Sequence, residues 1–178
     1  MCQSGGARGA DLAWGAHAAR LGHKVIHFSF AGHRTRAPAE QIVVLSDEEL
    51  RQADERMAIA NRTLHRTWPP ATDYSANLLR RDWHQVRNAE RVYAVARFGT
   101  DGQIHGGTAW GVTMFIDLHN GQPCEAYLFE PSLQRWLTCN FEWGPIGAPP
   151  RPHGIWAGIG TRNLDAAGEA AIIAMLAP

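Results

Sequence analysis

The chain has 178 residues, 45% of them hydrophobic, which suits one domain (1–178) with a full core and excludes wholesale disorder. Its 17 Lys and Arg balance 17 Asp and Glu, so the basic excess of a nucleic-acid-coating or membrane-surface protein is missing, although a local basic patch is not. No apolar run is long enough to span a bilayer, and the first residues lack the charged-then-apolar layout of a signal peptide, so a cytoplasmic protein without a membrane partner is expected. Cys2, Cys124 and Cys139 form no C-x-x-C pair, and reduced, mostly buried thiols are the expectation.

Met1 to Gln3 is too short to stand alone as a strand, yet Ser4-Gly5-Gly6 reads as the end of one. The stretch Ser4-Gly5-Gly6-Ala7-Arg8-Gly9-Ala10-Asp11 holds three glycines in eight residues, which lets the backbone turn sharply and approach a ligand closely. Leu12, Ala16 and Ala19 follow at helical spacing, and Gly22 is a ready stop for a helix over Leu12 to Leu21. A glycine turn feeding a helix presents free N–H groups and a positive dipole end, an anion site of the kind that takes phosphate.

Lys24 to Phe30 is apolar with little alternation, as a parallel strand buried on both faces should be. Ala31 to Ala39, with Gly32, His33, Arg34, Arg36 and Pro38, is a loop beyond a strand end, either solvated or reaching over a ligand. Ser46 and Glu49 form a capping box, and a helix to about Thr63 turns Leu50, Ala53, Met57 and Ala60 inward before Trp68-Pro69-Pro70 breaks it. Asp73 to Asn88 is a further helix, with Leu78, Leu79, Trp83 and Val86 on its apolar face and Arg80, Arg81 and Arg87 on its polar one.

Arg91 to Phe98 is a buried strand, Gly99 to Gly102 a turn, and His105-Gly106-Gly107-Thr108 a second glycine turn opening a helix over Ala109 to His119 that closes at Asn120-Gly121. Glu125 to Phe129 and Trp136 to Phe141 are joined by a short link and read as an antiparallel hairpin at a sheet edge. Trp143 to Gly154 holds four prolines and three glycines, a linker composition. Ile155 to Ile159 is a strand, Ala157-Gly158-Ile159-Gly160-Thr161-Arg162 a third glycine turn, and Leu164 to Leu176 a helix.

Strands alternating with helices through glycine turns predict an α/β, Rossmann-like, doubly wound and mostly parallel sheet, with helices on both faces and an antiparallel edge hairpin. The three glycine turns then share the carboxyl end of the sheet, where ligands bind. The predicted ligand-binding residues are Gly5, Gly6, Ala7, Arg8, Gly9, Asp11, Arg81, Gly106, Gly107, Thr108, Gly158, Gly160, Thr161 and Arg162.

Each residue type has its reason. The guanidinium of Arg8, Arg81 or Arg162 bonds two phosphate oxygens at once. Asp11 either caps its helix or accepts from a ribose hydroxyl. Thr108 and Thr161 either bond phosphate or cap their helices. Trp14 and Trp110 either stack on a base or pack in the core. Nine histidines include no compact metal spacing, so no metal site is predicted, and only His105 sits at a glycine turn. Neither G-x-S-x-G nor G-x-x-x-x-G-K-[ST] occurs, which removes support for acyl transfer and Walker-type hydrolysis and leaves any catalytic residue unassigned.

Ser4-Gly5-Gly6-Ala7-Arg8-Gly9-Ala10-Asp11 resembles the signature of the YpsA-type branch of the SLOG superfamily, which unites the DNA-processing protein A and Lonely Guy Rossmann-like proteins. Ala157 to Arg162 resembles that branch's opening strand motif. Leu79-Arg80-Arg81-Asp82 with Val92 to Ala96 resembles its central helix and strand, where Arg-Asn is more usual than Arg81-Asp82, and Gly106-Gly107-Thr108 resembles its second glycine motif.

The order differs from the usual one, in which the A-G-I-G-[ST]-R strand comes first. The resemblance therefore implies a circular permutant, joined across Pro145 to Gly154 and cut between Leu176 and Ser4, with Met1 and Pro178 close together.

It also implies binding or sensing of a phosphorylated nucleotide or nucleotide-derived ligand, a nucleoside monophosphate or an ADP-ribose-like molecule, and a homodimer as the default. Lonely Guy enzymes cleave the N-glycosidic bond of nucleoside monophosphates with a P-G-G-x-G-T-x-x-E motif. Here His105 to Val112 has no glutamate at the matching position, so a hydrolase would need Asp11 or Glu169 instead. A carrier of an anionic cofactor such as the molybdenum cofactor, and an interaction module with purely structural glycine turns, are the other readings.

Overall fold

A computed structural model gives the structure of the chain, and it describes residues 1–120 and 122–177. The expected meeting of Met1 and Pro178, and Gly121 of the expected helix stop, lie outside the described residues. Among the described residues, eight strands form one sheet flanked by helices on both faces.

Strand β1 (Cys2–Ser4) leads through α1 (Ala10–Arg20) to β2 (Val25–Phe30) and, past a single 3-10 turn, to β3 (Ile42–Leu45). Helices α2 (Asp47–Arg51), α3 (Asp54–Leu64) and α4 (Asp73–Val86) then carry the chain to β4 (Arg91–Val95). Helix α5 (Thr108–Leu118) connects to β5 (Glu125–Glu130), followed by β6 (Arg135–Asn140), β7 (Glu142–Ile146), β8 (Trp156–Gly160) and α6 (Ala166–Leu176).

The spatial order is β3-β2-β1-β8-β4-β5-β6-β7. All pairings from β3 to β5 are parallel, and β6 and β7 add antiparallel strands at one edge.

Every residue of β4 is buried. Side chains alternate across a strand. Val92 and Ala94 accordingly pack with Met57, Val86 and Phe115 under α3, α4 and α5. Tyr93 and Val95 pack with Trp14 and Ile172 under α1 and α6 on the other face. Each large apolar side chain so buried contributes about 1.5–3 kcal/mol. At the end of α1, Gly22 N–H donates to Ala19 O (3.0 Å) and His23 N–H to Ala18 O (3.0 Å), the paired bonds of a glycine-terminated helix.

Several expectations are corrected. The helix expected from Ser46 to Thr63 divides at Gln52 and Ala53, whose N–H groups donate to the carbonyls of Glu49 and Leu50, a tighter turn that re-aims the chain. The Ser46–Glu49 capping box is present, and Leu50, Ala53, Met57 and Ala60 are buried. The linker expected over Trp143 to Gly154 contains β7. Its Pro145 pairs opposite Leu137 and is tolerated because β7 is the outermost strand. Ile42 to Leu45, a strand at the opposite edge, has no sequence prediction at all; it is short, and Val43 and Val44 are exposed. Finally, Arg81 is not on a polar face. It is 4% exposed, held inside by partners from distant segments.

Candidate functional site

Strand β8 lies between β1 and β4. The helix after β4 covers one face and the helices after β1 and β8 cover the other. Neighbouring strands whose connections depart to opposite faces leave a crevice at their carboxyl ends. A cavity of about 470 Å³ occupies that crevice. It is lined by parts of all three glycine turns and by α4.

The first and third turns are locked together. Ala10 N–H donates to Thr161 O (2.9 Å), and Gly9 lies so close to the carbonyls of Thr161 and Arg162 that a side chain there would collide with both. Gly9 also has φ +100°, a conformation that side chains resist. This contact brings Arg8 and Arg162, both exposed, to the same rim of the cavity.

Of the predicted residues, Ala7, Arg8, Asp11, Arg81, Gly160, Thr161 and Arg162 line the cavity, as do Gly106, Gly107 and Thr108 across from them. Gly5, Gly6, Gly9 and Gly158 do not, because their smallness serves contacts within the protein. A Cβ on Gly5 would stand 2.5 Å from Arg81 Cζ, and one on Gly158 would stand 2.5 Å from Trp14 Cγ. Neither threonine caps its helix: Thr161 Oγ1 accepts from Asn163 N–H (3.1 Å), and α5 begins on Gly107 without a side-chain cap. Trp14 and Trp110 are both buried in the core, at 0% and 3% exposure.

The inner wall is electrostatic. Arg81 donates to Gly5 O (3.0 Å), to Asp11 Oδ2 (3.2 Å) and to Asp82 Oδ1 (3.0 Å). Asp11 Oδ1 accepts from Gly160 N–H (2.9 Å), so Asp11 ties β8 to α1 and to α4. Burial pushes Asp11 up to about 6, against the pull of Arg81 and of the Gly160 N–H. Burial also pushes Asp82 up to about 7; Arg81 opposes this and the negative charge of Asp11 adds to it. Two carboxylates thus share one guanidinium and titrate as a coupled pair. His33, 3.2 Å from Arg81, is held down at about 4 by burial and by the neighbouring arginines 81 and 162.

Asp82 and Leu78 to Leu79 of α4, absent from the predicted site, also line the cavity. Asp82 follows Arg81 directly in the sequence, which was the available signal for it. Of the acids considered for hydrolysis, Asp11 has both oxygens engaged by the protein, and Glu169 faces His17 (3.4 Å) away from the cavity.

A second cavity of about 540 Å³ adjoins the first, sharing Ala7, Arg8, Leu78 and Arg162 and adding Arg34, His33 and Tyr74. The loop after β2 therefore does reach the site. Among the described residues, no group of three or more His, Cys, Asp or Glu is placed to hold a metal, and no helix is long and apolar enough to cross a membrane. Compared with family models, with curated proteins and with solved structures, the chain matches none.

Proposed function

We propose that this chain binds or senses a phosphorylated nucleotide derivative in the crevice beside β8. The observation that carries the reading is the convergence of Arg8 and Arg162 on one cavity at the carboxyl end of the sheet. Exposed guanidinium forks are suited to a phosphate or pyrophosphate. Leu78, Leu79 and Ile159 give the same cavity an apolar wall suited to a sugar or base. The second cavity, joined to the first at Arg8 and Arg162, favours an ADP-ribose-like ligand over a monophosphate, because a pyrophosphate at the shared arginines leaves room for a group on each side.

The resemblance to the YpsA-type branch of the SLOG superfamily supports this reading, and so does the strand order. Renumbered from β8, the chain runs outward through β1, β2 and β3 and then returns to β4 beside β8, the reversal of direction that an unpermuted doubly wound sheet shows. We read the chain as a circular permutant of that arrangement, with a homodimer and a cytoplasmic location as the working expectation.

The test is a thermal-shift series with AMP, ADP-ribose and NAD on the wild type and on Arg8→Ala. Stabilisation of about 2.7 kcal/mol is expected at a ligand concentration 100 times the dissociation constant. The shift should be absent from Arg8→Ala. Equal shifts in both proteins would move the site away from the first glycine turn.

A further inference from the structure

The cavity divides by charge. Its rim carries the exposed Arg8 and Arg162, while its buried wall carries Asp82 and Asp11 with only Arg81 between them. The two carboxylates are not equivalent. Asp11 spends both oxygens on the protein. Asp82 spends only Oδ1, which accepts from Arg81 Nη2 (3.0 Å) and Gln85 Nε2 (2.9 Å). Among the described residues no donor reaches Asp82 Oδ2. The side chain is 13% exposed, and what it is exposed to is the cavity.

Opposite Asp82 the wall is bare backbone. A Cβ on Gly107 would lie 3.5 Å from Leu79 Cδ2 and 3.9 Å from Asp82 Oδ2, so that position has room for a methyl group near the carboxylate, whereas one on Gly111 would press on Ile159 Cδ1 at 3.2 Å. A ligand atom entering there meets an oxygen that accepts when the carboxylate is ionised and carries the carboxyl proton when it is not.

We infer that Asp82 Oδ2 is a subsite for a hydrogen-bond donor, and that the ligand is two-ended, anionic at Arg8 and Arg162 and presenting a hydroxyl or amino group to Asp82. The inference rests on the nucleotide reading and deepens it: the sugar hydroxyls of a ribose phosphate satisfy both ends, and an anion is turned away from the α5 turn by the carboxylate beside it. The same subsite sets a pH dependence. The groups facing Asp82 are Asp11 from α1, Arg81 and Gln85 from its own helix, and Arg8, Arg162 and His105 from the glycine turns. A donor favours the ionised carboxylate, so binding expels the proton and affinity rises with pH through about 7. An acceptor on the ligand would give the reverse slope.

The experiment is calorimetric titration of the wild type, Asp82→Asn and Arg8→Ala with ADP-ribose, AMP and 2′,3′-dideoxy-AMP between about pH 6 and about pH 8. ADP-ribose carries no phosphate proton that titrates in that range, so its slope reports the protein. Wild-type affinity for ADP-ribose should rise with pH. Asp82→Asn should flatten the slope and weaken binding about tenfold at the upper pH, as loss of a hydrogen bond to a charged group does. Removing the hydroxyls in dideoxy-AMP should weaken wild-type binding by a similar factor and leave Asp82→Asn nearly indifferent, a comparison in which the folding of a variant plays no part on the wild-type side.

Binding that depends on Arg8 but ignores both Asp82→Asn and the missing hydroxyls overturns the subsite alone, as does affinity that falls with rising pH. Failure of all three probes to bind the wild type overturns the nucleotide reading and the subsite with it.

Discussion

At Arg81 one guanidinium answers two carboxylates and a carbonyl, all within the protein interior. A buried ion pair gains little net stability, because desolvation offsets the Coulomb attraction, but breaking one strands the partner charge. Arg81→Met leaves Asp11 and Asp82 without their cation and should cost about 3–5 kcal/mol, read as a lowered urea midpoint. The carboxylates themselves have a pH signature. Their folded pKa values are raised above the ordinary one, so the unfolded chain releases these protons first. Between about pH 4 and pH 7 the folded state holds more protons than the unfolded, and this pair's contribution to stability falls as pH rises. Other carboxylates, such as Glu125 beside Arg91, are shifted down and act oppositely, so the comparison must be differential. The stability of Asp82→Asn relative to the wild type should climb across that window and level off above it, measured by denaturation at each pH.

Elements are positioned by small residues at crossing points. Helix α1 crosses β8 where Trp14 lies against Gly158, and Trp14 is fully buried against Tyr93 and Trp156. A methyl group at 158 meets a ring that has nowhere to go. Gly158→Ala should therefore cost about 1–3 kcal/mol. Because Asp11 links α1 to Gly160 and Arg81, the same substitution should weaken nucleotide binding as well, seen as a smaller ligand-dependent thermal shift than the wild type gives. Ser4 reinforces this crossing: its hydroxyl lies 2.6 Å from Gly158 O and 2.8 Å from Asp11 O, and its one proton can serve either. Glycine motifs that read in sequence as ligand turns thus divide their work. Gly106, Gly107 and Gly160 border the cavity, while Gly5, Gly9 and Gly158 let α4, the third turn and α1 come close.

For the whole molecule the central fact is that β8, late in the chain, pairs with both β1 and β4. Its place in the sheet is set by side chains on two faces: Ala157 and Ile159 in one core, Trp156 in the other. Residues 147–153 belong to neither core cluster, and their backbone is tied to the sheet where Tyr93 OH donates to Pro150 O (2.7 Å). A chain recut within residues 147–153, with its former ends joined by a flexible glycine-serine linker, should therefore keep the fold. The expected outcome is an unchanged far-UV circular dichroism spectrum, a cooperative melt and the same response to ADP-ribose. A molten or aggregated product would show that the present chain order is itself needed for the sheet to assemble.

Local chemistry determined a large part of this protein from its sequence: the strand-glycine-helix junctions, the buried apolar run of β4, the capping box at Ser46 and the antiparallel partnership of β5 and β6 all follow from short-range spacing and turn preference. Strand β7 was hidden because its prolines and glycines read as linker, and an edge strand tolerates what an interior one does not. Strand β3, Ile42-Val43-Val44-Leu45, carries a β-branched apolar signal but is only four residues long, wedged between a loop and the capping box at Ser46, and was hidden by its shortness. The burial of Arg81 and the open oxygen of Asp82 were decided by the tertiary structure alone. Their partners and surroundings come from Gly5, Asp11, Gly107 and Gly111 on other elements, and which charges meet in a low-dielectric interior depends on how the helices pack and not on their own periodicity.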